Sequence, residues 1–393
     1  MKIAVYGASG FTGRLTVAEL GRRGIPVVLV GRSEGRLRAA AEEAGISVSG
    51  ADGGGADGRG AGGGAAAGEI RVVGLTDPAA LAAAFADCDA VVNCAGPFTL
   101  WGEPVVRAAV AAGVHYVDTT GEQGYIRRVF DTFGADARRA GVSVVPAMAD
   151  DGGPGDLIAA LTAAALATPV DELLIADLRS AGGGASRGTA RSMAEIAEAV
   201  PLEYLDGDWR RADAGFVPAP VEVPAAVAAV SASASASAAA SVTASASVTA
   251  SASGETGAVP VTAFALPGIV TVPQHVPARR VHSAIRAEVA ALFGALTPEV
   301  VDSVPEVVPD ELRRASRWLM VAEATDKDGA RARGWVTGPD GYGLTAVIAV
   351  EAALRLTSGA APSGVLSPSQ AFPPADFLDA LAPHGVTWSV TPA

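Results

Sequence analysis

Lysine is almost missing from this chain of 393 residues, which has only Lys2 and Lys327. Chemistry that runs through a lysine Schiff base is therefore not expected. Cysteine is as scarce. Cys88 and Cys94 share one apolar stretch, which excludes a disulfide framework and a Cys-rich metal site and fits a reducing compartment. The four histidines, His115, His275, His282 and His384, show neither H-E-x-x-H nor any other ligand spacing, so no metal is expected. Positive charge is in deficit: 29 basic against 42 acidic side chains leave a net charge of −13, which argues against a nucleic-acid partner. Long apolar runs are lacking too. None reaches the ~18 residues of a membrane span, and the N-terminus starts on a strand-like run instead of a basic leader. These features together predict a soluble cytoplasmic protein.

Half of the residues are apolar, enough for a large core, and the length favours two domains over one. Two segments stand apart by composition. Residues 50–68 are almost entirely glycine and alanine and read as a flexible surface loop. Residues 225–253 alternate alanine and serine and read as a disordered insertion, too poor in bulky side chains to offset the entropy of ordering.

Residues 1–150 alternate strand and helix signals. Apolar runs at Lys2 to Tyr6, Val27 to Val30, Ile70 to Val73, Ala90 to Cys94, Tyr116 to Val117 and Val142 to Val145 are separated by helical patterns. Strands buried on both faces and joined by helices imply a doubly wound parallel sheet of Rossmann type. Residues 151–393 mix a long alanine-rich helix with strands at Glu172 to Asp177, Gly268 to Val272, Trp318 to Ala324 and Gly334 to Val336. They predict a second, α+β domain for substrate binding and dimerisation.

Gly7, Gly10 and Gly13 lie in G-A-S-G-F-T-G, between the first strand and the first helix, the context in which such a glycine pattern signals a dinucleotide site. Gly7 permits the turn, Gly10 lets backbone approach a diphosphate, and Gly13 lets the helix pack close to the sheet. Ser9, Phe11 and Thr12 then bring backbone amides to the phosphates. A dinucleotide site that takes NAD usually carries an acid about 20 residues on, at the end of the second strand. Arg32 followed by Ser33 stands there instead, suited to a ribose 2′-phosphate, so the expected cofactor is NADP(H). Asp77, before Pro78, reads first as a helix cap and second as an adenine contact. The fourth strand runs into Asn93, Ala95, Gly96 and Pro97, a turn close to the nicotinamide half. The fifth runs into Asp118, Thr119, Thr120, Gly121 and Glu122, which face the same crevice or cap the next helix. No tyrosine has a lysine four residues later, which removes the Tyr-x-x-x-Lys acid of short-chain dehydrogenases.

Cys94-Ala95-Gly96-Pro97-Phe98, Gly102-Glu103-Pro104-Val105-Val106 and Tyr116-Val117-Asp118-Thr119-Thr120-Gly121-Glu122 together resemble the saccharopine dehydrogenase-like oxidoreductases, which include trans-acting enoyl reductases. Pro146-Ala147, Asp151, Pro154, Asp156 and Leu157 match a further segment of that family, although Met148-Ala149-Asp150 replaces its usual Cys-Gly-Phe. Gly184, Ser186, Gly188, Thr189 and Ser192 resemble its next polar stretch, and Gly364 to Pro368 its C-terminal end. The resemblance implies an NADPH-dependent reductase of a C=C, C=O or C=N bond in a small molecule or an acyl-thioester. It favours an enoyl group on a lipid or polyketide-like substrate. Glu122 and Asp151 are the expected groups for proton handling, with Tyr125 or solvent as other donors. The rival expectation is an NADP(H)-binding sensor or scaffold without turnover, because no acid–base residue is unmistakable.

Overall fold

The computed structural model describes residues 1–48, 66–179, 184–212, 216–224 and 256–392. The Ala/Ser-rich segment 225–253 and most of the glycine-rich segment 50–68 lie outside the described residues.

Most apolar runs of the first 150 residues become parallel strands covered on both faces, while the one at Ala67–Val72 is only partly buried. β1 (Ile3–Tyr6), β2 (Val27–Gly31), β5 (Ala90–Asn93) and β7 (Ser143–Val145) are buried along their whole length. Between them lie β3 (Ser47–Val48), β4 (Ala67–Val72) and β6 (His115–Asp118). The sheet order is Gly364–Val365, β7, β6, β5, β1, β2, β4, β3, and every pairing is parallel. β1 therefore sits between β2 and β5, where the winding reverses and open α/β sheets bind ligands. Helices α1 (Phe11–Arg22), α2 (Glu34–Glu43), α3 (Pro78–Ala83), α4 (Phe98–Ala112) and α5 (Gln123–Ala140) make the crossovers. The expected Rossmann-type architecture is present.

α6 (Gly153–Ala164), with Leu157, Ile158 and Ala159 fully buried, leads into a second, mixed sheet. There β8 (Val170–Asp177) pairs in parallel with Arg280–Arg286 and antiparallel with Arg317–Asp326. Arg331–Pro339 and Thr387–Pro392 extend it on one side, Leu202–Leu205 and Asp208–Arg211 on the other. The strand expected at Gly268 to Val272 is instead a short helix, Gly268–Thr271, followed by a 3₁₀ turn. A buried apolar run of this length suits either state, and Pro267 and Pro273, which cannot donate to a ladder, decide against a strand.

The chain then returns to the first sheet. Helix Gly341–Leu356 packs against α1, β5 and β6, and Gly364–Val365 adds an edge to β7. This return brings residues some 340 positions from the start beside the glycine loop.

Candidate active site

A cavity of about 720 Å³ opens at the carboxyl ends of β1, β2 and β5. On one wall is the glycine loop. Gly7 has φ +77°, and a side chain there would meet the Ala95 backbone at 3.0 Å. A Cβ at Gly13 would approach the Gly7 carbonyl oxygen to 2.1 Å, so helix and turn meet only because both positions are glycine. Gly10 precedes α1 with no side chain capping the helix. The first amides of α1 therefore face the cavity, with Ser9, Phe11 and Thr12 on its lining. An uncapped helix start with its dipole is a diphosphate cradle. Arg32 lies at the end of β2, also on the lining, exposed and without an ion pair among the described residues. A free guanidinium there fits a 2′-phosphate. Ala95 and Gly96 form the neighbouring wall.

Other expected contacts face elsewhere. Asp77 caps α3, its carboxylate accepting the Ala80 N–H at 2.9 Å. Ser33 stands before α2, off the cavity lining. Asn93 is buried; its side chain accepts the Ala95 N–H at 3.0 Å and donates to Tyr116 Oη at 3.0 Å, which shapes the turn after β5. Pro97 leads into α4 from the same turn. Glu122 is buried with both carboxylate oxygens engaged: they accept the N–H groups of Phe98 at 2.8 Å and Thr99 at 2.6 Å, at the start of α4. It does not line the cavity. Tyr125 is buried as well, hydrogen-bonded to Tyr116 and Asp118, whose own carboxyl burial pushes up to about 6. Cys94 reaches the lining, but burial pushes its thiol up to about 12, which leaves it unreactive.

Asp151 does face the cavity, and it belongs to a cluster. The Arg179 guanidinium donates to Asp177 from Nε at 2.6 Å and contacts Asp150 from Nη1 at 3.3 Å. Thr345 Oγ1 donates to Asp150 at 3.3 Å. Asp151 has no ion pair among the described residues; burial first, then the Asp150 charge, pushes its carboxyl up to about 7. A carboxylic acid with that value can hold and deliver a proton at neutral pH.

The opposite wall starts at α7 (Arg187–Glu198), whose Ser186 cap accepts the Thr189 N–H at 3.2 Å. Tyr342 joins the two walls: its ring packs edge-on against Phe11 with centroids 5.0 Å apart, and its hydroxyl bonds to Ser186 and Thr189. Beyond α7 the lining turns apolar, with Val289, Leu292, Phe293 and Leu296. Arg179, Tyr342 and Thr345 had no local signal, because each meets the glycine loop or Asp150 only through folding. Among the described residues there is no cluster of three or more metal-ligating side chains, and no helix is long and apolar enough to cross a membrane.

Residues 3–145 match the family described as the saccharopine dehydrogenase NADP binding domain. A Mycobacterium tuberculosis protein bearing a trans-acting enoyl reductase name is 35% identical over 199 residues, 49% of this chain and 43% of that one. A saccharopine dehydrogenase-like oxidoreductase of Bos taurus is 26% identical over 165 residues, 39% of this chain and 35% of that one. The chain thus matches less than half the length of these curated relatives. Among solved structures, saccharopine dehydrogenase (L-Glu forming) from Saccharomyces cerevisiae superposes with a TM-score of 0.59 at 13% identity. That superposition covers 100% of this chain and 99% of the other, and shows a shared fold.

Proposed function

We propose that this chain, whose residues 3–145 match the saccharopine dehydrogenase NADP binding domain, is an NADPH-dependent reductase. The observation that carries the reading is that a single cavity joins the glycine loop and Arg32 to Asp151, a carboxyl able to hold a proton. When bound, the cofactor would supply a hydride. The chain's own residues do the rest. The α1 amides and Arg32 hold the phosphates, Ala95 and Gly96 leave room beside the turn after β5, and Asp151 hands a proton to the atom next to the reduced carbon. Glu122 acts elsewhere, as the cap of α4.

The substrate we propose carries a C=C, C=O or C=N bond beside an apolar portion. The apolar lining at Val289, Leu292, Phe293 and Leu296 supports this, and it suits an acyl-thioester with the enoyl group that one relative's name carries. The protein is tested by following NADPH oxidation with enoyl thioesters, ketones and imines. Turnover with one class supports the reductase. Tight NADPH binding without hydride transfer to any class would favour the sensor or scaffold, and failure of both nicotinamide coenzymes to bind at millimolar concentration would remove both.

A further inference from the structure

Three carboxylates, Asp150, Asp151 and Asp177, gather around one guanidinium, and they are not served equally. Asp177 accepts both the Arg179 backbone N–H at 2.9 Å and Nε at 2.6 Å. Asp150 has the Nη1 contact at 3.3 Å and the Thr345 hydroxyl. It also lies against the first turn of helix Gly341–Leu356, where a Cβ on Gly341 would come within 2.5 Å of its Oδ2. Burial and the Asp177 charge push the Asp150 carboxyl up, and a guanidinium, a hydroxyl and a helix start work against them in favour of the anion. Asp151, one residue on, has no ion pair among the described residues; the Arg179 charge reaches it through space and is outweighed by burial and the Asp150 charge.

We propose that Arg179 and Asp150 form a charge clamp that reserves Asp151 as the protonated acid of the cavity. Arg179 is a positioning residue in this account: its charge is spent on Asp150 and Asp177, and the Asp150 anion then disfavours a second negative charge next door. The remaining neighbours do not reverse the balance. The loop after β6 presents the uncharged Gly121, whose Cβ position is 3.0 Å from Asp151 Oδ2, and helix Gly341–Leu356 presents the neutral Tyr342 and Thr345. Arg317 also lines the cavity, while Arg187 and Arg191 on α7 pair with Glu306 and Asp302.

The use of the proton rests on the reductase reading; its residence on Asp151 does not. In reduction, bound NADPH would supply a hydride, and with it two electrons, to the electrophilic carbon. The Asp151 O–H bond breaks, its proton bonds to the neighbouring atom, and the carboxylate regains a proton from water.

The test is a ¹³C-carboxyl NMR titration of the full chain labelled at aspartate, with the Asp151 signal identified by its loss in Asp151→Asn. A midpoint near neutral pH is expected. Asp150→Asn should lower it by about one unit or more, since it removes the neighbouring anion and frees Arg179. Arg179→Gln removes the cation that keeps buried Asp150 ionised, so the proton should pass to Asp150 and the Asp151 midpoint should fall as well, with Arg179→Lys returning most of the shift. A fall in both variants that a lysine at 179 restores is not what a merely structural role produces. A wild-type midpoint below about 5, in the ordinary carboxylate range, overturns the clamp, as does a midpoint unmoved by Asp150→Asn. Asp150→Asn is nearly isosteric and decides the matter if Arg179→Gln does not fold, with NADPH fluorescence titration reporting the integrity of each variant. Should the reductase reading fail, NADPH oxidation is absent while this titration stands.

Discussion

The Tyr342 hydroxyl accepts the backbone N–H of Ser186 at 3.0 Å and donates to Thr189 Oγ1 at 2.8 Å, while its ring lies on Phe11. One side chain on the returning helix thus ties the glycine loop of the first sheet to the start of α7. Tyr342→Phe keeps the ring and deletes both bonds, each worth about 0.5–1.5 kcal/mol. NADPH affinity should fall by about tenfold, read by fluorescence titration. An unchanged dissociation constant would mean that the bridge does not steady the loop.

Arg32 has no ion pair among the described residues, so its charge is available to a ligand. Charge-assisted bonds of this kind contribute about 1.5–3 kcal/mol. Arg32→Glu is therefore expected to weaken NADPH by about 100-fold and to leave NADH nearly unaffected. Equal losses for the two coenzymes would remove the 2′-phosphate argument.

What could be read from the linear chain was local. Gly7, Gly10 and Gly13 sit within seven residues, and their spacing, between a strand and a helix, already fixes where a diphosphate would lie. Arg32 follows from the end of the next strand by the same logic. Asp151 could be named but not explained, because Arg179 is distant in sequence and Thr345 more distant still. Glu122 was expected at the carboxyl edge of the sheet, and its backbone is there. Its side chain turns back to α4, where the free amides of a helix start compete for a carboxylate, and nothing in the spacing reveals that competition. The run at Gly268 failed for another reason: a short buried segment has no solvent face, so its periodicity carries no information.

Glu122 offers a direct contrast with a proton donor. Its two bonds to the Phe98 and Thr99 amides satisfy the start of α4, and Glu122→Ala leaves both buried donors without that partner. A loss of about 2–3 kcal/mol is expected in denaturant unfolding. The pH profile of turnover should keep its wild-type shape. If the profile loses a limb while stability is unchanged, Glu122 is the acid and the assignment to Asp151 falls.

Off the cavity lining, buried Asp156 meets His275 Nε2 at 3.0 Å and accepts the Ser369 N–H at 2.8 Å. Burial pushes Asp156 up, but the His275 charge and these hydrogen bonds outweigh it and bring the carboxyl below its usual value. Burial pushes His275 down, and the Asp156 charge more than reverses that, so the imidazole ends above its usual 6.5. The two signs differ in consequence. The Asp156 contribution is present above the ordinary carboxylate range and is lost as pH falls through its depressed folded value. The His275 contribution is complete below 6.5 and is lost as pH rises through its elevated folded value. Stability from the pair should therefore peak between about pH 4 and 6.5 and decline on both sides. His275→Gln removes the cation and should cost about 3 kcal/mol at pH 6, and less at pH 9, as rising pH takes the proton from the wild-type imidazole. Urea unfolding of both proteins at these two values measures the difference directly. An equal gap at pH 6 and pH 9 would show that the contact stabilises through packing and a neutral hydrogen bond, with no ionic part.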